Sequence, residues 1–308
     1  MTAVVERDFC ERVPVVCPAC GERLTVGEVT AADDGDRVLH GTLACAGCPR
    51  EHPVLDGVPI LVPDLLDYLT QERRTIVRRR DLPHWAEDLL GFALDEGDAE
   101  RRRASSLATY AAPAPAEPAI APLAEPLRQF VGEALARHAH GAALGLDAGA
   151  AAGAFTRLLA AHVERAVGLE IAFDRARRAR EDLLGEGRHA AFVAADAETP
   201  PFAAGAFQAA LALNLLDVVG RPRRLLDALA RCLAPGGVLV LTTPFEYAQS
   251  RTPLEEQIDE EELVPALGER FEILDDRPRI PWHLPISERH HDVYLVRGIV
   301  ARRSPFVV

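Results

Sequence analysis

The chain has 308 residues, 47 acidic against 34 basic side chains and a net charge of −13, and all 34 basic residues are arginine. That length holds one large and one small domain, and the acid excess, −5 over residues 1–63, −3 over 64–142 and −5 over 143–308, leaves no basic block for generic nucleic-acid binding. No run approaches the ~20 apolar residues of a membrane span, and the opening MTAVVERDFCERVP lacks a basic region followed by an apolar one, so a cytoplasmic protein is expected.

The first 63 residues read as a small β domain. VPVVCPACGERLTVGEV and RVLHGTLACAGCPREHPVLDGVPILVPD alternate β-rich runs with Gly, Pro and Asp turns. Cys17-x-x-Cys20 and Cys45-x-x-Cys48 form two knuckles separated by 24 residues. In a chain expected to stay in a reducing compartment, such pairs read as metal ligands rather than disulfides, and four thiolates suit a structural Zn²⁺. Cys10 and Cys232 fall outside the pattern.

Residues 64–122 read as a helical connector that ends in APAPAEPAIAP, whose four prolines favour an extended linker; this stretch is a candidate active-site lid. A further helix, LAEPLRQFVGEALARHA, opens the third region, 123–308. From there strands and helices alternate. AALGLDAG, RAVGLEI, HAAFVAAD, QAALALNLLDVV and VLVLTTPF read as strands, and AFTRLLAAHV, DRARRAREDLL and PRRLLDALARCLAPGG as helices between them. This implies an α/β fold with a parallel sheet covered by helices on both faces.

LGLDAGAAAGAF, residues 144–155, has two readings. One is Ala-rich packing; the other is a strand, a tight turn and a helix start that leave room for a ligand against the backbone. In a doubly wound sheet ligands bind beyond the carboxyl ends of the strands, where Asp147, Gly149 and Glu170 fall. An acid at Glu170 can accept hydrogen bonds from ribose hydroxyls. GAAAG supplies only the outer glycines, so it matches G-x-G-x-x-G dinucleotide binding poorly.

LDAGAAAG, AVGLEIAFDRARRA, FVAADAETPPFAAGAFQAALALNLLDVV and LARCLAPGGVLVLTTPF, in that order and spacing, resemble the class I S-adenosylmethionine-dependent methyltransferases. The likeness covers residues 144–308, about half the chain. It implies a Rossmann-like sheet of seven mostly parallel strands with the last antiparallel. It also implies that Asp147, Gly149, Ala151 and Gly153 line the amino-acid end of the cofactor, that Glu170 holds its ribose, that Asp196 and Ala197 contact its adenine, and that Asn214 lies near the sulfonium and substrate. Ala151 stands where the family usually has Gly. A G-x-A-x-G variant with a similar fifth strand occurs in enzymes resembling the ovothiol-pathway mercaptohistidine N-methyltransferases, which VLVLTTPFEYAQSRTPLEEQ also resembles. CPACGERL, LACAGC and HPVLDGVPILV are similar to the small zinc-ribbon proteins that activate tRNA, rRNA and release-factor methyltransferases.

Methyl transfer from a sulfonium is an in-line displacement that needs positioning, exclusion of water and, for a nitrogen nucleophile, a free lone pair. NLLD, residues 214–217, lacks the aromatic that would stack a flipped base, which argues against a nucleic-acid amine. Asp217 reads either as the group that orients or deprotonates a substrate nitrogen or as a helix cap. Trp282, His283, His290 and His291 cluster near the end of the chain, where an edge strand would aim His290 and His291 at opposite faces. Tyr110 and Tyr247 are candidate pocket walls, and DEEE, 259–262, a solvated helix start. The leading expectation is a methyltransferase acting on a nitrogen of a small polar molecule. The alternatives are rRNA or tRNA methylation and a non-catalytic scaffold docking translation machinery.

Overall fold

The computed structural model describes residues 8–33, 37–77, 121–185, 190–287 and 290–305. The described residues form two sheets. The first is antiparallel, in the order β1 (Leu24–Ala32), β2 (Val38–Cys45), β3 (Glu51–Leu55) and β4 (Val58–Pro59), preceded by a single helical turn, α1 (Phe9–Arg12). The second has seven strands: β5 (Ala142–Ala148), β6 (Val163–Glu170), β7 (Ala190–Ala194), β8 (Phe207–Leu213), β9 (Leu233–Thr243), β10 (Phe271–Ser287) and β11 (His290–Arg303). Their spatial order is β10-β11-β9-β8-β5-β6-β7. Strands β5 to β9 pair in parallel, and β11 is antiparallel to both β9 and β10. This is the mixed, Rossmann-like sheet with an antiparallel last strand that the resemblance implies.

The helices are α2 (Leu65–Val77), α3 (Ala121–His138), α4 (Ala154–Leu159), α5 (Phe173–Gly185), α6 (Pro222–Cys232) and α7 (Leu263–Leu267). Helix α6 starts with Pro222, whose fixed φ suits a first helical position, and turns Leu225, Leu226 and Leu229 inward at helical spacing. All five residues of β7 are buried, because both faces of a parallel sheet are covered. Of the connector expected over 64–122, residues 78–120 lie outside the described residues, and with them Tyr110 and most of the candidate lid.

The two sheets share their cores. One cluster joins Val15, Leu24, Leu43 and Leu61 to Val193, Phe202 and Phe207, while the other joins Val58, Ile60, Val62 and Tyr68 to Phe192, Ala194 and α5. Ile60, Leu61 and Val62 thus alternate between the two faces as a strand does. Ile60 makes a parallel bridge to Ala194, and the Leu61 amide donates to the Ala194 carbonyl at 2.9 Å. The segment leaving the small sheet therefore covers the β7 edge, which would otherwise present unpaired backbone groups. Val15 bridges Phe202, the Val16 amide donates to Pro201 at 2.9 Å, and Arg177 pairs with Asp56 at 3.2 Å.

Candidate functional site

In the small sheet the sulfurs of Cys17, Cys20, Cys45 and Cys48 all lie within 4.8 Å of one another, with Cys20 and Cys45 3.4 Å apart and Cys17 and Cys48 3.9 Å apart. Thiolates tetrahedral around zinc at 2.3 Å would be separated by ~3.8 Å, so the set fits that ion. The Gly47 amide donates to the Cys45 sulfur at 3.3 Å, and His52 Nε2 lies 3.5 Å from Cys17 Sγ. These contacts hold the Cys45 and Cys17 sulfurs in place. Cys10 and Cys232 are core residues; burial pushes their thiols up to about 12 and about 11.

At the carboxyl ends of β5 and β6 the Ala-rich stretch is a strand, a turn and a helix start. Gly149, Ala151 and Gly153 all have positive φ, at 76°, 47° and 80°. A Cβ on Gly149 would come within 2.8 Å of Leu215, so this position combines a left-handed backbone with a close neighbour. The amides of Gly149 and Ala150 donate to the Leu169 carbonyl, and the Ala151 amide donates to Glu170 Oε2 at 2.9 Å. Glu170 Oε1 accepts from the Ala172 amide at 3.0 Å. Each carboxylate oxygen retains a further acceptor site, which suits a pair of ribose hydroxyls. Burial pushes the Glu170 carboxyl up, against the backbone amides that favour its charged form.

Asp147 is buried, and the Thr156 hydroxyl donates to its Oδ2 at 2.6 Å. Burial raises its carboxyl to about 6. This contact ties β5 to α4 across the turn, and nothing in the sequence marked Thr156 for it. Asp196 Oδ1 accepts from the Glu198 amide at 2.8 Å, folding the loop after β7, and Ala197 is buried in that loop. Glu198, which sequence reading passed over, accepts from the amides of Gly220 and Arg221 and from the Arg221 guanidinium, tying this loop to the start of α6.

Beyond β8, Asn214 has φ 52°, its amide donates to the Thr242 carbonyl at 2.8 Å, and its Oδ1 accepts from the Thr242 hydroxyl at 2.8 Å. Asp217 lies inside a short 3₁₀ turn, Leu216–Val218, rather than capping a helix. It is buried, faces the Thr243 hydroxyl at 3.5 Å, and burial raises its carboxyl to about 6. Past the end of β9 opens a cleft of about 630 Å³ lined by Phe245, Tyr247, Asp259, Glu260, Arg279 and Arg297 among others. The Tyr247 hydroxyl donates to the Ile258 carbonyl at 3.0 Å, and burial raises its phenol to about 12. Arg297 is held by Asp276 at 2.7 Å, while Asp259 Oδ1 accepts from the amides of Glu261 and Glu262 as the DEEE run starts a helix.

His290 and His291 do diverge. His290 pairs with Asp292 at 3.1 Å on the exposed side, and His291 shares a hydrogen bond with His283 at 2.9 Å. Trp282 stacks at a tilt on Tyr294 with centroids 5.1 Å apart. Residues 290–296 pair with β10 alone, as an edge strand does. β11 lies between β9 and β10, and its first residues continue past the end of β9 as a two-stranded extension with β10.

Residues 146–241 match the family model described as "Methyltransferase domain". No curated protein matches the chain. Among solved structures, the chain is similar to the N-methyltransferase NodS from Bradyrhizobium japonicum WM9, at 20% identity over 59% of this chain and 97% of that one, with a TM-score of 0.47. A putative methyltransferase from Bacillus halodurans C-125 is 14% identical over 57% of this chain and 99% of that one, TM-score 0.46. A complex of the Haloferax volcanii Trm112 methyltransferase activator with a putative methyltransferase gives 16% identity over 58% of this chain and 92% of that one, TM-score 0.45. No helix among the described residues is long and apolar enough to cross a membrane. The match over residues 146–241 runs from β5 to β9, the parallel part of the seven-stranded sheet, so this stretch is similar to a methyltransferase domain in sequence.

Proposed function

We propose that this protein transfers a methyl group from S-adenosylmethionine to a nitrogen of a small polar molecule, an imidazole or an amine, and that its cysteine cluster holds a structural Zn²⁺. The observation that carries the reading is Asp217, a buried carboxylate three residues past Asn214 at the end of β8, whose carboxyl burial raises to about 6. The cleft past β9 carries Phe245 and Tyr247 with Asp259, Glu260, Arg279 and Arg297, a mixed lining that suits a small polar molecule.

S-adenosylmethionine, when bound, supplies a methyl group on a positively charged sulfur, which keeps the S–C electron pair as the methyl leaves. The chain's own residues do the rest. Glu170 receives the ribose hydroxyls, Asp196 and Ala197 the adenine, and the turn from Asp147 through Gly149, Ala151 and Gly153 the amino-acid end. Asn214, fixed by Thr242, orients the acceptor side. The acceptor nitrogen attacks with its lone pair, and its proton passes to Asp217. A carboxyl with a pKa of about 6 is mostly ionised at neutral pH and still basic enough to take a proton, which matches a base to its working pH.

The test is incubation of the full chain with methyl-labelled S-adenosylmethionine and a metabolite extract, with RNA in a separate arm. Label is expected in a small nitrogen compound, and Asp217→Asn is expected to lower the rate by roughly a hundredfold or more. Label in the RNA arm alone would contradict the substrate class. Absence of turnover in a protein that binds the cofactor would favour the scaffold alternative.

A further inference from the structure

The segment that leaves the small sheet, residues 60–68, arrives beside both loops assigned to adenosine. At its start the Leu61 amide donates to the carbonyl of Ala194, immediately before Ala195 and Asp196, and the Ala195 amide donates to the Glu170 carbonyl at 3.3 Å. At its end α2 packs on α5 and buries Tyr68, whose hydroxyl donates to the Ile171 carbonyl at 2.7 Å. That carbonyl and the Ala172 N–H belong to one peptide group, which is planar and rigid. The Ala172 N–H is the donor to Glu170 Oε1. A hydroxyl pulling on one end of this peptide therefore sets the direction of the donor at its other end, and with it the carboxylate.

We infer that Tyr68 is a positioning residue for Glu170, so that the adenosine site of the methyltransferase domain is completed in cis by the segment leaving the cysteine-bearing sheet. The inference rests on the reading of Glu170 as the ribose acid. Burial pushes the Tyr68 phenol well above its usual value, so it stays protonated and remains a donor across the working pH range. Ile171 is 49% exposed next to these groups, so the turn has open space on its outer side and needs an inner hold.

The test compares the full-length protein with Tyr68→Phe, which keeps the buried ring and removes the hydroxyl. Without ligand, amide exchange at Ala172 should accelerate by about fivefold while exchange through β5 and β8 stays unchanged, the scale expected from one lost hydrogen bond. Calorimetry should show S-adenosylhomocysteine and adenosine weakened by the same factor of about five, because both are held at the ribose. Unchanged exchange at Ala172 would overturn the inference whether or not the protein binds a nucleoside. So would a loss confined to S-adenosylhomocysteine, or a uniform rise in exchange with intact affinity. If neither ligand binds the wild type, the ribose reading of Glu170 fails, and exchange at Ala172 alone decides whether Tyr68 orients the carboxylate.

Discussion

The amide of Ala151 donates to the carboxylate of Glu170 at 2.9 Å, so the turn after the first strand of the large sheet and the acid ending the second are one unit. Ala151 holds φ at 47° to make that contact. A left-handed Ala costs about 1 kcal/mol relative to Gly there, while Gly costs a similar amount in unfolded-chain entropy. Ala151→Gly is therefore expected to change both the stability and the S-adenosylhomocysteine binding free energy by less than about 1 kcal/mol. A larger loss of affinity would show that the Ala side chain itself contributes to the ligand site.

Gly149→Ala should behave differently. Its φ of 76° and the approach of Leu215 to 2.8 Å from an added Cβ penalise any side chain. The variant should lose roughly 1–2 kcal/mol of stability from the left-handed backbone and most ligand-induced stabilisation in thermal melts. Full retention of that stabilisation would mean that the turn is not the ligand loop.

Five strands of the large sheet are legible in the sequence because buried parallel strands read as short apolar runs between Gly and Pro signals. The cysteine pairs are legible because a knuckle is a local pattern. Contacts between distant elements are not. Tyr68 and Ile171 are 103 positions apart, and LLDYL reads only as part of an amphipathic helix. The same holds for Ile60 against Ala194, since nothing in VPILV tells which edge it will cover. Thr156 beneath Asp147 and the left-handed Ala151 and Asn214 depend on how a turn closes in three dimensions, which side-chain type alone does not determine.

The metal prediction follows from the shared core. Purified protein should contain about one zinc per chain, and Cys17→Ser should lower that content. Because the small sheet is packed into both clusters of the large one, metal loss should depress a single melting transition rather than create a separate early one. Two well-separated transitions on chelation would contradict the shared core, and full metal content after loss of all four cysteines would contradict the ligand set.

Asp217 makes a pH prediction. Its carboxyl is raised by burial to about 6, so the folded protein binds its proton more tightly than the unfolded chain does. The stabilisation this gives is fully present below about pH 4 and is lost as pH rises through 6. Asp217→Asn removes the titration. Its stability relative to wild type should be greater at pH 7.5 than at pH 4, with a difference of up to about 3 kcal/mol in denaturant unfolding. The same offset at both pH values would contradict burial as the cause.

The central claim is that the loops ending β5, β6 and β7 bind S-adenosylmethionine, and calorimetry with S-adenosylhomocysteine on the full chain tests it most directly. Wild type should bind, NAD should show no comparable binding, and Glu170→Ala should weaken binding by about tenfold or more, the scale of a lost hydrogen bond to a charged group. Equal affinity in wild type and Glu170→Ala, or binding of NAD in place of S-adenosylhomocysteine, would contradict it.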